Sequence, residues 1–272
     1  MRCLSALALA LFAVSADADK NWDISDLKVA KAEDKVDAKG TPPPAGAIVL
    51  FDGKSLDKWT KLDGKKPVEW KLVDGGAAQV NGTGNIITKE KFDGPFKLHV
   101  EFRVPYMPSA KGQARGNSGV YVQGRYEVQV LDSYGLDSKD NDCGAIYEVS
   151  KPLVNACKAP AVWQTYDIEF TAPKCADGKI TEPAHITVYQ NGVKIQDDTR
   201  LARKGKDGKV EIVTNTRAGM GGDPCKPGPI MLQDHGNPVQ FRNVWLLRAN
   251  PQAISLRDAE QVPVPANEDL PL

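Results

Sequence analysis

The sequence predicts an all-β chain folded as a sandwich of two antiparallel sheets. Three observations predict it. Short runs of β-branched and aromatic residues alternate with polar ones. Turn signals rich in Gly, Asn and Asp separate the runs. Helical periodicity is poor between residues 47 and 248. Residues 47–51 open the fold. Residues 68–73, 79–80 and 86–88 follow as short pieces split by DGG and NGTG turns. Residues 96–104 alternate, with Phe96, Leu98, Val100, Phe102 and Val104 inward and His99, Glu101 and Arg103 outward. In 163–170, Tyr166, Ile168 and Phe170 point inward, with Thr165, Asp167 and Glu169 opposite. Residues 186–189 and 193–196 flank Asn191-Gly192, a strong hairpin signal. Residues 230–233 and 239–247 close the domain around DHGNP. Many short strands at this spacing make a sandwich.

The run NSGVYVQGRYEVQVLDSYG, residues 117–135, is the most informative. It reads as two strands around Gly124. Val120, Val122, Tyr126, Val128 and Val130 form one face, and Tyr121, Gln123, Glu127 and Gln129 the other. An acid, two amides and a phenol on one face offer the donors and acceptors that sugar hydroxyls need. A solvated antiparallel face has the same alternation.

The chain has 272 residues, with 35 basic and 35 acidic side chains and no formal net charge. No basic patch of the density that nucleic acid needs is present. Arg2, the apolar stretch 4–14 and the small residues Val14-Ser15-Ala16 read as a cleavable signal peptide within 1–18, which places the mature chain outside the cell or in the periplasm. No later apolar run is long enough to span a membrane. Residues 19–46, mixed in charge and ending in GTPPPAG, read as a flexible leader, and 249–272, rich in Pro and acid, as a tail. That leaves 47–248 as one domain. Four cysteines remain after the signal and admit three pairings. The spacing favours Cys143–Cys157, with Cys175–Cys225 as the second bridge. Closing the shorter loop is worth roughly 3 kcal/mol in the chain-entropy model. No Cys/His spacing supports a metal site.

QDHG at 233–236 places an amide, a carboxylate and one of three histidines at a strand end, where sites gather. His235 has an ordinary pKa near neutrality. The competing reading is a turn in which Asp234 and Asn237 bond the backbone. His99 and His185 read as packing or solvent histidines. Glu101, Glu127, Asp132 and Glu169 come from several strands and meet only if those strands share a surface. Paired carboxylates there would do glycoside chemistry.

Four ordered stretches carry a resemblance: LFDGKSLDKW (50–59), GNSGVYVQGRYEVQVLDSYG (116–135), CGAIYEVSKPLVNACKAPAVWQTYDIEF (143–170) and GPIMLQDHGNPVQFRNVWL (228–246). Together they resemble the bacterial domain once called DUF1080. That family is now described as 3-keto-glucoside 1,2-lyase and 3-keto-2-hydroxyglucal hydratase, or more loosely as 3-keto-disaccharide hydrolase. The resemblance implies a concanavalin A-like (laminin-G-like) jelly roll. It implies C2 proton abstraction next to a C3 ketone, β-elimination of the aglycone and hydration of the product, a net hydrolysis. It also implies an upstream sugar 3-oxidoreductase that makes the 3-keto-glucoside or 3-keto-disaccharide substrate. No organic cofactor is expected, and a divalent metal is left open. Carried over residue by residue, His235 and Glu127 are the candidates for proton transfer. Asn117, Gln129, Asp132, Gln233 and Asp234 would bind substrate. Arg125 and Arg242 are either electrophilic or paired with acids. The chain departs from the family pattern at Ala161-Val162, where Gly-Glu is expected, and at Glu148, where Gly is expected. The stretch 202–225 is longer than usual.

Two other readings compete with the lyase. A carbohydrate-binding module of the same fold would favour exposed aromatics, and none is evident. An ordinary glycosidase needs two carboxyls across a cleft.

Overall fold

The computed structural model describes residues 21–249. The expected signal peptide and nearly all of the expected tail lie outside these residues. The chain is a jelly-roll sandwich of two antiparallel sheets. The larger sheet runs in the order β13 (Val193–Arg200), β12 (His185–Gln190), β9 (Gln164–Thr171), β6 (Phe96–Arg103), β17 (Gln240–Arg248), β4 (Ala77–Gln79) and β3 (Lys71–Val73), with β1 (Ile48–Phe51) also paired to β17. The smaller sheet runs β2 (Trp59–Lys61), β5 (Ile86–Thr88), β16 (Met231–Leu232), β7 (Ser118–Val122) and β8 (Tyr126–Val130).

The alternation read from the sequence fills the space between the sheets. Phe96, Leu98, Val100 and Phe102 of β6 and Val120, Val122, Val128 and Val130 of the β7–β8 hairpin are all buried in one cluster. Aromatic rings join the layers: Tyr126 of the smaller sheet lies 5.8 Å from Phe170 of the larger, and Phe170 lies 5.3 Å from Phe96. Contacts of this kind supply most of the stability, since each large buried side chain is worth about 1.5–3 kcal/mol. The β7–β8 turn has positive φ at both Gln123 and Gly124, and Arg125 N–H closes it on the Val122 carbonyl. That is the backbone twist a tight hairpin requires.

Two ribbons were not anticipated. β10 (Lys174–Ala176) pairs with β11 (Lys179–Glu182), and β14 (Ala202–Lys204) with β15 (Val210–Ile212). Both are largely exposed and rich in Lys, so they lack the apolar alternation that marks a half-buried strand. Cys175 and Cys225 form a disulfide that ties the first ribbon to the loop before β16.

The expected Cys143–Cys157 bridge is corrected: both are free thiols. Both sulfurs accept from Gln190 Nε2, at 3.6 and 3.5 Å, and Cys143 Sγ lies 3.1 Å from Tyr166 Oη. The two are neighbours, as their spacing suggested, but they meet as hydrogen-bonded thiols that share the Gln190 amide.

The expected flexible leader is also corrected for its described part, residues 21–46. It runs as a strap across the outer face of the larger sheet. Ala38 N–H bonds the Trp163 carbonyl and Asp37 Oδ1 accepts from Trp163 N–H. The Thr41 carbonyl accepts from both Asn243 Nδ2 and Trp245 Nε1 at 2.9 Å. Trp22 covers the Arg103 guanidinium, which also faces Trp163, and Arg242 stacks on Trp163 at 4.0 Å. Under the strap, His99 is fully buried, stacked on Trp245 and hydrogen-bonded through Nδ1 to Asp167. It is therefore a packing histidine, as one of the two sequence readings had it. Glu101 is gripped by Arg242 and Asn243, each at 2.7 Å. Burial works against its charge, but the nearby His99 ring and the bonds from Asn243 and Arg242 prevail and hold its pKa down at about 2. At Gly40 a side chain would overlap the Glu101 carboxylate, so the strap needs glycine there.

Candidate active site

The second face of the smaller sheet carries the polar side chains of the β7–β8 hairpin, and strand register assembles them. Met231 stands opposite both Ile87 and Tyr121, and Tyr121 opposite Glu127. In the next row Gly119 stands opposite Gln129, and Gln233 donates its N–H to the Gly119 carbonyl at 2.9 Å. β16 thus inserts the QDHG segment beside the β7–β8 hairpin.

Glu127 is the centre of this face, with only 3 % of its surface exposed. Its carboxyl lies over Gly119, where any Cβ would collide with Oε1 and with the Tyr121 ring. Glycine is required here for close approach. Burial pushes the Glu127 pKa up to about 7; the hydrogen bond from Tyr121 opposes the rise and the Glu148 charge adds to it. Tyr121 is held well above the ordinary phenol range, first by burial and then by Glu127. It stays protonated and can donate. Gln233 Nε2 donates to Tyr121 Oη at 3.0 Å, which leaves Gln233 Oε1 buried without a partner. Among the described residues His99 Nε2, Tyr126 Oη and Gln190 Oε1 are buried without a partner in the same way.

The outer edge of β8 is covered by two loops. Gly144, Ala145 and Tyr147 exchange backbone bonds with Gln129 and Glu127. Further along, Thr216 N–H bonds the Arg125 carbonyl, and Thr216 Oγ1 accepts from Glu127 N–H at 3.1 Å.

The other sequence candidates divide. Gln129 Nε2 is spent on Gln113 Oε1 and the Asn141 carbonyl, and its Oε1 accepts from Val130 N–H. Asn117 Nδ2 bonds the Gln113 carbonyl at 2.7 Å. Both residues brace the loops around the face. Asp132 ends β8 in an ion pair with Arg115 at 3.2 Å. Asp234 uses Oδ1 on Gly236 N–H and Oδ2 on Gly84 N–H, so its carboxylate builds the turn. His235 is exposed on that turn, two positions beyond Gln233. Arg125 is removed from the electrophile list: its guanidinium bonds the carbonyls of Gly221, Asp223 and Lys226, and Gln123 Oε1. Arg242 is removed more decisively, because it sits on the outer face of the larger sheet with Glu101. Glu101 and Glu169 share that sheet, so they do not meet Glu127.

Sequence reasoning saw Tyr121 on the polar face but gave it no role; its place opposite Glu127 was the available signal. Thr216 and Arg217 gave none. Both departures from the family pattern fall where the backbone is left-handed: Glu148 has φ 57 and Ala161 φ 64. Such positions favour Gly. Two surface depressions lie elsewhere, one around Trp59 and Trp70 and one around Tyr106 and Met107. No ionisable side chain in either is buried, so neither competes with Glu127 as a chemical centre. Among the described residues no group of three or more His, Cys, Asp and Glu side chains is placed to hold a metal ion. Among them, too, no helix is long and apolar enough to cross a membrane.

Fold and face together define a jelly-roll protein with one buried, weakly acidic carboxyl set among a phenol and amides. The chain belongs to the 3-keto-alpha-glucoside-1,2-lyase-like domain family, whose model matches residues 46–247. A 3-keto-disaccharide hydrolase of Bacteroides thetaiotaomicron is 26 % identical over 235 residues, covering 73 % of this chain and 77 % of that one. A crystal structure from Parabacteroides distasonis, provisionally described as a glycosyl hydrolase, is 40 % identical with a TM-score of 0.64, covering 76 % of this chain and 85 % of that one. A second structure from that organism, 20 % identical with a TM-score of 0.51 and covering 75 % of this chain and 94 % of that one, shares the fold.

Proposed function

We propose that the chain is a carbohydrate-active enzyme that cleaves 3-keto-glycosides, with Glu127 as the group that takes the C2 proton. One observation supports this reading: the buried Glu127 carboxyl, its pKa raised by burial to about 7, accepts from a protonated Tyr121, whose Oη in turn accepts from Gln233 Nε2 at 3.0 Å. A base tuned to the working pH is what abstraction of an activated C–H needs. The Glu127 carboxylate removes the hydrogen on C2, and the electron pair passes into the enolate formed with the C3 ketone. Once Glu127 holds that proton, the Tyr121 O–H is released from the carboxylate and donates to the enolate oxygen, where charge develops. The pair then returns to form C1=C2 as the C1–O bond breaks. The aglycone oxygen leaves with a proton from Glu127 or water. Addition of water to the product completes a net hydrolysis. Gln233 Oε1 accepts from a sugar hydroxyl, and His235 at the turn is the second candidate for proton transfer. The substrate's ketone calls for an upstream oxidoreductase acting on a sugar C3. The Cys175–Cys225 disulfide fits an extracellular or periplasmic chain.

The test incubates the purified protein with a 3-keto-glucoside and with the plain glucoside, with and without chelator. Consumption of the keto sugar alone is expected. Cleavage of the plain glucoside would favour an ordinary glycosidase, and binding without turnover a carbohydrate-binding module. Tyr121→Phe is expected to lower kcat by about 10²-fold, the loss seen when one donor to a developing oxyanion is removed. A kcat equal to wild type would remove Tyr121 from the mechanism.

A further inference from the structure

We propose that Glu148 and Arg217 are positioning residues for this site, a solvent-facing ion pair that clasps two loops beside Glu127 and adjusts the pH range that burial gives Glu127. The inference rests on the proposed role of Glu127 as the base. Its ground is geometric. The outer edge of β8 has no neighbouring strand, and two unrelated loops share it. The loop of residues 144–148 bonds Gln129 and then Glu127, ending with Tyr147 N–H on the Glu127 carbonyl at 3.2 Å. The other loop takes over at once, with Thr216 bonded to Glu127 N–H and to the Arg125 carbonyl. The next residue of each loop closes the junction: Arg217 Nη2 lies 3.0 Å from Glu148 Oε1. The clasp therefore spans the seam at the residue proposed to act as base.

Glu148 holds its place in a left-handed backbone, φ 57, that an L side chain adopts at a cost. Glycine would sit there without strain, and it is the residue the family pattern leads one to expect. Backbone strain of this kind persists where surrounding contacts over-determine it, and the ion pair with Arg217 is one such contact.

The charges facing Glu127 come from few elements. Tyr121 faces it from β7, and Tyr147 and Glu148 from the first loop. Tyr147 in turn feels Glu148, Arg217, Glu127 and Asp140, which places all of these within one electrostatic neighbourhood. The Arg125 guanidinium on β8 is turned to the loop carbonyls at 221–226. The Glu148 carboxylate discourages ionisation of Glu127, and Arg217 offsets that charge. The two variants therefore move Glu127 in opposite directions.

The experiment follows the Glu127 carboxyl directly by carbon-13 NMR titration in wild type, Glu148→Gln, Glu148→Gly and Arg217→Gln, with the pH profile of kcat measured alongside. The midpoint is expected to fall by roughly half a pH unit in both Glu148 variants and to rise by a similar amount in Arg217→Gln. Glu148→Gly keeps the backbone relaxed, so a shift shared with Glu148→Gln belongs to the charge. Midpoints unchanged in all three variants would overturn the proposal. The titration needs no substrate, so failure of the keto-glycoside reading shows separately, as wild type without turnover. Where wild type turns over, an acid limb of kcat that moves with the NMR midpoint supports the clasp, and a limb that stays put while the midpoint moves refutes it.

Discussion

Glu127→Gln is expected to lower kcat on a 3-keto-glucoside by about 10²- to 10⁴-fold, the range for loss of a general base, yet to yield a more stable protein above pH 7. The second half of the result follows from burial. Below its ordinary pKa of 4.5 the carboxyl is protonated in the folded and unfolded chain alike, and folding bears no charge penalty. As pH rises towards about 7, the unfolded chain releases this proton and the folded chain keeps it. The stability present at low pH is lost across that window, on the order of 3 kcal/mol in full. A glutamine keeps the shape and never ionises. Urea unfolding from pH 4 to 9 should show the variant gaining on wild type between about pH 4.5 and 7 and holding its lead above. Parallel curves together with undiminished turnover would discard Glu127 as the base.

The second large effect lies on the opposite sheet and has the opposite sign. Glu101 is buried, and its folded pKa is depressed to about 2. Its contribution is fully present above pH 4.5 and is lost as pH falls through about 2. Glu101→Gln should cost on the order of 3 kcal/mol at pH 7 and next to nothing near pH 2. It leaves the Arg242 head without its counter-charge and loosens the strap at Gly40 and Thr41. Denaturation measured at pH 7, 4 and 2 checks this. A penalty independent of pH would mean that shape at this position matters and charge does not. His99 adds a smaller change. Burial disfavours its charged form, but the bond to Asp167 and the nearby Glu101 carboxylate win and raise its pKa. Its contribution is full below the ordinary value of 6.5 and fades as pH rises through the raised one.

Local alternation was the part of the fold that the sequence made legible. Period two in residues 96–104 and 117–130 sorted Val100 from Glu101 and Val128 from Glu127 correctly, because the apolar set can face the space between the sheets in only one register. Strand order was not legible. Nothing local says that the two-residue strand β16 lies between β5 and β7, yet that places Gln233 against Tyr121. Arg242 misled for a related reason. The larger sheet has its own charged outer face, and a guanidinium there looks no different in sequence from one at a site. The bulge between Arg242 and Trp245 further breaks the strand's alternation. Asp234 was ambiguous by nature, since an Asx turn and a catalytic acid are written with the same letter.

The strap has a consequence for what counts as one domain. Sequence likeness begins at residue 46. Burial begins earlier: none of residues 21–46 is itself deeply buried, yet they roof His99, Glu101 and the Trp163–Trp245 strip. The span that the family model matches and the folding unit are thus different lengths of chain. A recombinant domain cut at residue 46 would keep every residue of the Glu127 face. It would also bare a seam of indole rings and interlocked charges on its back, a surface more apt to stick to its neighbours than to dissolve.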